Sequence, residues 1–574
     1  MDAEDEIPFY SLLNSGFIPR EEDAFIIKDI LNRQVVEAAS LENQIAPIKA
    51  MYEVLLNCRH GLQSSIKGLQ GLVSLPRRNR IPEDILREIF LRCLPDTHDA
   101  VIHPNESPIL LTHICSSWRR VALSTPLLWS TIHLPLYNSP SFYPPIPPPT
   151  STELEENVQA RERVIQTWLD RSSTCPLSLT LIDLDLPPAS QKIFNLIVSS
   201  SHRWRSMKFS TSHQRIQTMS ESNQLDLSVL QNLEIELQAT GSWESHNLIP
   251  QAHSKLQTSP LFSAPNIRHF SLSSFMAPVG SLPIKWEGLT QMKLAYNDHP
   301  KTVAEMLSLL RPCRKLVSFS ILISHTPVHF PNQTVQNFTS DDDGSVVYLP
   351  DLVTFEISSS AATSSPDEFS RLHMPSLKNL TYSYPVLPGT HTPLVSLTQS
   401  YTIRSLSIST STLREDDFLQ CLRCCKELTS LTLFASESFV VNAGRIENKD
   451  DILKSLSLPD ADGEILCPKL ENLQHSVGSF IETHWSDEEV LNFVKRKQAG
   501  KPGLSKLKRL AIIFGRVQTI PLAKELEQFV NDGLEICLQY SIKMDWMKPM
   551  AYNSVGAPLT PSIHNQSFLP SNIF

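Results

Sequence analysis

A short apolar motif recurs along the second half of the chain, and it constrains the fold more than any other feature. Each copy has apolar or aromatic residues at its first, fourth and sixth positions, as in Leu-x-x-Leu-x-Leu. The fourth and sixth residues share one face of a short strand, while the first lies in the turn before it. The copies are Ile267–Leu272, Leu289–Leu294, Leu316–Ile321, Leu352–Ile357, Leu377–Tyr382, Ile403–Ile408, Leu428–Leu433, the shortened Leu470–Leu473, and Leu507–Ile512.

Sequences typical of a helix precede some copies, notably at 303–310 and 415–422. One strand–helix unit cannot bury its own apolar face, so neighbouring units must stack into a continuous core with parallel strands along one side. We therefore predict an α/β fold with an irregular leucine-rich-repeat-like solenoid and a parallel sheet. The motif starts lie about 22 to about 42 residues apart, against roughly 20–29 for leucine-rich repeats, which implies long loops. A doubly wound domain is the alternative, although its strands are usually longer and more continuously apolar.

Composition limits the classes of protein to consider. A chain of 574 residues exceeds what one hydrophobic core usually organises, so more than one structural unit is expected. Hydrophobic residues make up 41% and charged residues 19%, which predicts a largely folded chain. The formal net charge of -10 and a single short basic run, 495–501, argue against a nucleic-acid partner.

Location is predicted from what the sequence lacks. The acidic start, 1–6, has no basic region followed by an apolar stretch, and no run of eighteen apolar residues occurs. The 10 cysteines are scattered, as expected of reduced thiols. We therefore expect a soluble intracellular protein, in the cytoplasm or nucleus, without a membrane partner.

Residues 1–75 read as a helical leader. From Ile27 to Val73, apolar residues recur mostly at steps of three and four, which predicts one or two amphipathic helices with a kink at Pro47. Two interpretations stay open, a hairpin packed on its own neighbour and a self-associating coiled coil. The coiled coil would need a longer unbroken heptad run.

Residues 76–135 contain a second helical segment, which opens with a basic break at 76–80. Pro82 supplies a helix start and is followed by two acidic residues that complement the helix dipole. The apolar stripe of this first helix is Ile85, Leu86, Ile89 and Phe90. A second helix is predicted to run until Pro126, with the stripe Leu111, Ile114, Cys115, Trp118, Val121 and Ala122. A stretch this short cannot bury all of these side chains internally, so some should meet a partner.

This segment resembles the F-box, a three-helix module that binds the Skp adaptor of cullin-RING ubiquitin ligases. Four features occur in the expected order over residues 81–134: the opening Ile81-Pro82-Glu83, the core Ile85–Phe90, the block Cys115–Arg119 and the close Pro126–Trp129. The wider layout, with Trp168–Ser172 and Pro176–Leu179 downstream, resembles the large F-box family of mushroom-forming fungi. The loop 96–106 is longer than in compact F-boxes.

The resemblance implies a substrate-recruiting subunit that is not itself an enzyme. It would bind a Skp-type adaptor, and through it a cullin, while the repeat body holds a target protein that the sequence does not identify. The residues implied to contact the adaptor are Ile81, Pro82, Ile85, Leu86, Ile89, Phe90, Ile114, Trp118 and Arg119. Trp129 is expected to seal the module's own core instead.

Three alternatives remain. The stripe residues could merely pack the N-terminal helices against the repeat body. The chain could be a leucine-rich scaffold outside any ligase, or a hydrolase whose site is assembled from scattered residues.

The remaining boundaries follow from composition. Residues 136–157 are rich in proline and are expected to form a linker or surface loop, with docking to an SH3- or WW-type groove as an alternative. Residues 158–550 form the predicted repeat body, and 551–574 a tail.

Catalytic and metal-binding motifs are absent from the sequence. There is no nucleophile elbow, phosphate-binding glycine loop or His-Glu-x-x-His. Cys421, Cys424 and Cys425 have the spacing of half a zinc or redox site, but the same spacing describes the buried face of a helix. His113 is expected to face solvent, and the acidic runs 341–343 and 450–451 to be solvated loops. No cofactor, metal or catalytic residue is predicted.

Overall fold

The protein is described by a computed structural model that falls into two compact units, Met1–Leu86 and Arg87–Phe574. The described residues are 18–78, 81–135, 151–183, 191–221, 225–237, 256–274, 279–297, 303–324, 345–359, 368–384, 392–410, 413–434, 450–459, 463–476, 485–500, 502–514 and 516–540. The predicted tail, the acidic run 341–343 and residues 136–150 of the predicted linker lie outside these ranges.

The first unit contains one long helix, α1, of 58 residues (Glu21–Arg78). The helix continues through Pro47, which lies among good helix formers such as Ala46 and Lys49. It ends at Arg78, within the predicted break at 76–80. Side chains of α1 are described as far as residue 70, and none of them is buried. The hairpin interpretation of the leader is therefore wrong.

The second unit is built on an open sheet of 14 strands in which every neighbouring pair is parallel. Its strands follow one another in chain order, whereas a doubly wound sheet reverses that order at a switch point. The strands are β1 (Thr131–Pro135), β2 (Leu177–Asp183), β3 (Trp204–Thr211), β4 (Asn232–Leu237), β5 (His269–Ser274), β6 (Gln291–Asn297), β7 (Ser318–Ser324), β9 (Thr354–Ser359), β11 (Asn379–Ser383), β12 (Ser405–Ser409), β13 (Ser430–Phe434), β14 (Asn472–Ser476), β15 (Arg509–Phe514) and β16 (Glu535–Tyr540); β8 (Val347–Tyr348) and β10 (Leu372–His373) pair separately.

Helices precede β1 and lie in most of the connections between the strands of the large sheet. They are α2 (Glu83–Arg92), α3 (Ile109–Ile114), α4 (Ser116–Leu123), α5 (Ser151–Arg171), α6 (Gln191–Ser199), α7 (His213–Glu221), α8 (Val303–Leu310), α9 (Pro393–Ser400), α10 (Glu415–Cys424), α11 (Asp450–Ser455), α12 (Asp487–Gln498), α13 (Leu522–Glu525) and α14 (Glu527–Asn531). The helices expected at 303–310 and 415–422 are confirmed as α8 and α10. Helix α5 starts at Ser151, inside the expected linker, so that part of the linker prediction is wrong.

The core follows the apolar motif. All nine copies contain a strand of the large sheet, and each strand begins two residues after its copy does. The fourth positions Leu406, Leu431, Leu473 and Leu510 stand in register on consecutive strands and are at most 1% exposed. Burial of each such side chain contributes about 1.5–3 kcal/mol. A row that continues from strand to strand therefore stabilises units that would not fold alone.

Candidate partner-binding surfaces

Helix α2 begins as the sequence predicts. The Pro82 carbonyl accepts the first helical hydrogen bond from the Leu86 amide at 2.9 Å, and Glu83 and Asp84 occupy the first turn. The division between the two compact units falls within this helix, after Leu86.

Two apolar rows run along α2, and only one of them is exposed. Ile85 and Ile89, one turn apart, are 50% and 38% exposed, while Leu86 and Phe90 are 3% and 0% exposed. The expected contact of Leu86 and Phe90 with an adaptor therefore needs correction, because a partner cannot reach buried side chains. Ile81 and Pro82, just before the helix, are exposed as expected.

The second predicted helix is two helices, α3 and α4. Cys115, between them, is extended, and its Sγ accepts a hydrogen bond from the Trp118 amide at 3.4 Å, which caps α4. The apolar spacing across 111–122 is the same for one helix as for two, so periodicity did not reveal this break. The side-chain cap at Cys115 was the missed signal.

The remaining predicted contact residues lie on α3 and α4. The partly buried Trp118 ring packs against Phe90, with ring centroids 4.9 Å apart, and exposed Arg119 donates from Nε to the Thr112 carbonyl at 2.7 Å. Ile114 is 42% exposed. Leu110, one turn earlier on the same face of α3, is 37% exposed and was missed by sequence reasoning.

Trp129 lies in the core, as expected. It is fully buried, and its indole Nε1 donates to the Ala122 carbonyl at 3.0 Å. Its ring meets the edge of Trp168 on α5, with centroids 4.8 Å apart, and the Arg171 guanidinium lies 4.5 Å above it. The downstream segment 168–172 therefore covers the end of the helical segment.

The same region joins the helices to the sheet. Strand β1, directly after Trp129, pairs with β2, and the Trp168 Nε1 donates to the Thr131 carbonyl at 3.2 Å. The long loop 96–106 covers the outer edge of β1, since the His133 amide donates to the Ala100 carbonyl at 2.8 Å. Asp99 in this loop accepts from Thr180 on β2 at 2.6 Å. The additional loop length thus protects a sheet edge that would otherwise leave backbone groups unpaired.

The sheet has a second face, opposite the buried motif residues, and it is polar. On each strand, one residue of this face lies between the fourth and sixth motif positions. These residues form a row that stays in register from strand to strand. From β2 to β14 the row consists of Thr180, Lys208, Glu234, Ser271, Lys293, Ser320, Glu356, Thr381, Ser407, Thr432 and Gln474.

Charges are concentrated on the β3–β9 part of this row. Lys208 and Glu234 form an ion pair at 2.9 Å. Partial burial lowers the pKa of Lys293 and raises the pKa of Glu356; each lies close enough to the other to oppose these shifts, and the Ser320 hydroxyl also lowers the pKa of Glu356. We call Lys208, Glu234, Lys293 and Glu356 the sheet-face charge row. Fixed charges of both signs on a rigid sheet can select a complementary protein surface.

A second charged cluster stabilises the end of the sheet. The buried Asp487 carboxylate accepts from Arg516 Nη2 at 2.6 Å, the Thr519 hydroxyl at 2.7 Å and the Tyr540 hydroxyl at 3.0 Å. Burial alone would raise the pKa of Asp487, but the bonds from the Arg516 and Thr519 side chains and from the Ile520 and Thr519 amides outweigh it and hold the pKa below its ordinary value. Because every partner lies within this cluster, we assign it a structural role.

The residues considered for catalysis do not form a site. Cys421 and Cys425 are buried, and the pKa of the Cys421 thiol is raised by its hydrogen bond with Cys425 and by burial, so it stays protonated. His113 faces solvent as predicted. Within the described ranges, no three His, Cys, Asp or Glu side chains are grouped as metal ligands.

Among the described residues, no helix is both long and apolar enough to pass through a lipid bilayer. The chain matches no model of a known protein family, and a search of curated proteins finds no significant match.

Proposed function

We propose that this protein is a substrate-recruiting F-box subunit of a Skp-cullin-type ubiquitin ligase. The observation that carries the proposal is the exposed pair Ile85 and Ile89 on a helix whose adjacent row, Leu86 and Phe90, is buried. The buried row holds the helix in place, and the exposed row is left for a partner.

Exposed apolar residues on α3 add to the case. Ile114 and Leu110 lie one turn apart and are both more than a third exposed. Transfer of one such side chain from water into an interface gains roughly 1.5–3 kcal/mol before the cost of association. A few residues of this kind account for most of the affinity of a typical protein complex. A helix-binding groove on a Skp-type adaptor is the partner that the F-box resemblance implies.

The body would then hold the target. Its chain-ordered parallel strands and intervening helices favour an irregular leucine-rich-repeat-like solenoid, and its sheet-face charge row offers fixed polar groups for recognition. In this proposal the chain performs no chemistry, and its partners transfer ubiquitin.

Co-elution with a recombinant Skp-type adaptor tests this function. The double variant Ile85→Asp/Ile89→Asp places two charges in the proposed interface, and we expect it to weaken adaptor binding at least about 100-fold, since hot-spot changes of about 2 kcal/mol or more each are typical. Both side chains face solvent, so the variant should fold. Leu86 is unsuitable for this test because a charge there would disturb the interior.

A matched control is available on the body. Val530 is 45% exposed, similar to Ile85 and Ile89, so Val530→Asp introduces a charge of the same kind far along the chain. We expect this variant to bind the adaptor like the wild type. If the Ile85/Ile89 variant bound the adaptor as well as the wild type does, or if the wild type did not bind it, the proposal would be contradicted.

The alternative function is a scaffold outside any ligase. It is favoured by the packing of Trp129 on Trp168 and by the pairing of β1 with β2, which give the helical segment a structural role. A scaffold would show no affinity for the adaptor, so the same experiment separates the two functions.

A further inference from the structure

Helix α1 carries an apolar seam at heptad spacing. When the heptad positions a to g are assigned with Leu31 at a, apolar residues occupy nearly every a and d position between 24 and 69. The a positions are Ala24, Leu31, Ala38, Ile45, Tyr52 and Ile66, and the d positions are Ile27, Leu41, Ile48, Leu55, Leu62 and Leu69. We call these residues the α1 seam. Two polar residues interrupt it, Gln34 at d and Arg59 at a.

The seam is exposed from Leu31 to Leu69. Its nine large side chains from Leu31 to Leu69 are between 46% and 67% exposed. The helix that carries them is unbroken and about 87 Å long at 1.5 Å per residue. Pro47 falls at heptad position c, which faces away from the seam.

The area is sufficient for a stable complex. At roughly 100 Å² per large apolar side chain, the area implied by its transfer energy, the nine residues offer on the order of 900 Å². A stable interface buries about 800 Å² on each partner. The seam alone therefore meets the size of a specific interface.

We propose that α1 pairs with α1 of a second copy of this chain to form an antiparallel coiled coil. In the register centred between Ile45 and Ile48, Ile45 lies opposite Ile48 of the other copy, and Leu31 lies opposite Leu62. The same register places Gln34 opposite Arg59, so the two polar interruptions meet each other. A heterologous partner would not be expected to reproduce this match, which is internal to one sequence.

The flanking charges favour the same orientation. In the antiparallel register Glu42 and Lys49, both at e positions, lie side by side and attract. A parallel in-register pair would instead bring Arg59 against Arg59 inside the seam and Glu37 next to Glu42 at its side. Repulsion at both places disfavours the parallel form.

Sedimentation equilibrium of the full-length chain tests self-association. We expect a dimer at micromolar concentration and at least a 100-fold weaker dimer for Ile48→Asp. The matched control is Val36→Asp, because Val36 is 69% exposed, close to the 67% of Ile48, but lies at position f on the opposite side of the helix. The control should remain dimeric. A monomeric wild type, or equal weakening by both variants, would overturn the proposal.

Cysteine cross-linking tests the orientation. In a full-length background with the exposed Cys58, Cys93 and Cys537 changed to Ser, a mixture of Leu31→Cys chains and Leu62→Cys chains should form a mixed disulfide dimer on mild oxidation. Leu31→Cys chains alone should not cross-link. The reverse result would show a parallel pair and would overturn the antiparallel assignment.

Residue 34 gives a second, independent readout. Gln34→Glu should tighten the antiparallel dimer about five-fold, because two new ion pairs with Arg59 form by symmetry, and Gln34→Lys should weaken it by a similar factor. In a parallel dimer both substitutions would weaken association, since like charges would face each other. Dimer affinity that rises for Gln34→Glu and falls for Gln34→Lys supports the proposal, and a change in the same direction for both variants contradicts it. Failure of the adaptor experiment would leave these results unaffected, because α1 is tested for self-association alone.

Discussion

Lys497 on α12 is a buried cation whose amine has no hydrogen-bond partner among the described residues. Burial lowers its pKa from the ordinary 10.5 to about 8, and the nearby Cys467 and Glu471 oppose this shift only in part. Asp487, on the same helix, is equally buried but is held by the Arg516 guanidinium and several hydrogen bonds. Two buried charges within one helix therefore have opposite consequences for stability, because only one is compensated.

Removal of the Lys497 charge should stabilise the protein. We expect Lys497→Met to raise the free energy of unfolding by about 1–3 kcal/mol at neutral pH, the cost of burying a polar group without a partner. The folded state releases this proton at a lower pH than the unfolded state does, so the wild type should gain stability as pH rises from about 8 toward 10.5. The variant should lack this gain. Urea unfolding at several pH values measures both effects.

Lys495→Met provides the control, because Lys495 lies on the same helix and is exposed. It should change stability little and keep the rise of stability above pH 8. A similar pH dependence in wild type and Lys497→Met would show that Lys497 does not cause it.

At the scale of elements, the contact between Trp129 and Trp168 ties the helical segment to the sheet. Trp168→Ala should cost about 3–5 kcal/mol, as large-to-small changes of buried aromatic residues do, and should expose Trp129. We expect amide hydrogen exchange to accelerate most in α4 and β1, while β11–β14 stay protected. Hydrogen exchange followed by mass spectrometry resolves these segments.

Trp286→Ala is the matched control for this prediction. Trp286 meets Phe270 edge-on in the body, with ring centroids 6.2 Å apart, so its loss should accelerate exchange around β5 and β6 and leave α4 and β1 protected. Uniform acceleration across the chain in both variants would mean that the helical segment and the sheet open as one unit.

The motif strands were predicted well from the sequence. The apolar residues at the fourth and sixth motif positions, with another residue between them, are enough to define a half-buried strand. The same spacing at Leu230, Leu233 and Ile235 marks β4 but was not recognised, and β3 carries an aromatic version with Trp204, Met207 and Phe209. The first strand, β1, carries an aromatic version too, with Trp129, Ile132 and Leu134 at the same spacing, and it was not recognised either. Its partner β2 lies more than forty residues away, and the two strands pair in parallel.

The candidate adaptor surface was predicted less completely. The stripe on α2 was correct as a set of apolar residues, but its division into an exposed and a buried row depends on what packs against each side. A period near 3.6 residues shows that a helix has an apolar face, but it does not show how wide that face is. Leu86 and Phe90 were therefore placed with Ile85 and Ile89, although they lie in the interior.

At the scale of the molecule, the proposed adaptor surface and the proposed target surface consist of different residues, so substitutions should impair the two proposed interactions independently. Lys293→Gln alters the sheet-face charge row without touching α2 or α3, so we expect loss of target proteins from affinity captures with the adaptor retained. The Ile85→Asp/Ile89→Asp variant should give the opposite pattern. Quantitative mass spectrometry of parallel captures reports both.

Lys315→Gln removes an exposed lysine outside the charge row and serves as the control. Its captures should resemble those of the wild type. Loss of the same proteins with Lys315→Gln and Lys293→Gln would indicate an effect of net charge alone and would contradict a specific role for the row.

The chain order of the strands sets a distance scale. Strand β1 follows the α4 segment directly, and each later strand adds one spacing of about 4.8 Å, so the sheet extends roughly 60 Å from β1 to β16. A target protein bound at a given strand would lie at a fixed distance from the helices that precede β1. Loss or gain of one strand would move the bound protein by one strand spacing. The distance between the bound protein and the helices could therefore change without any change in the residues that recognise it.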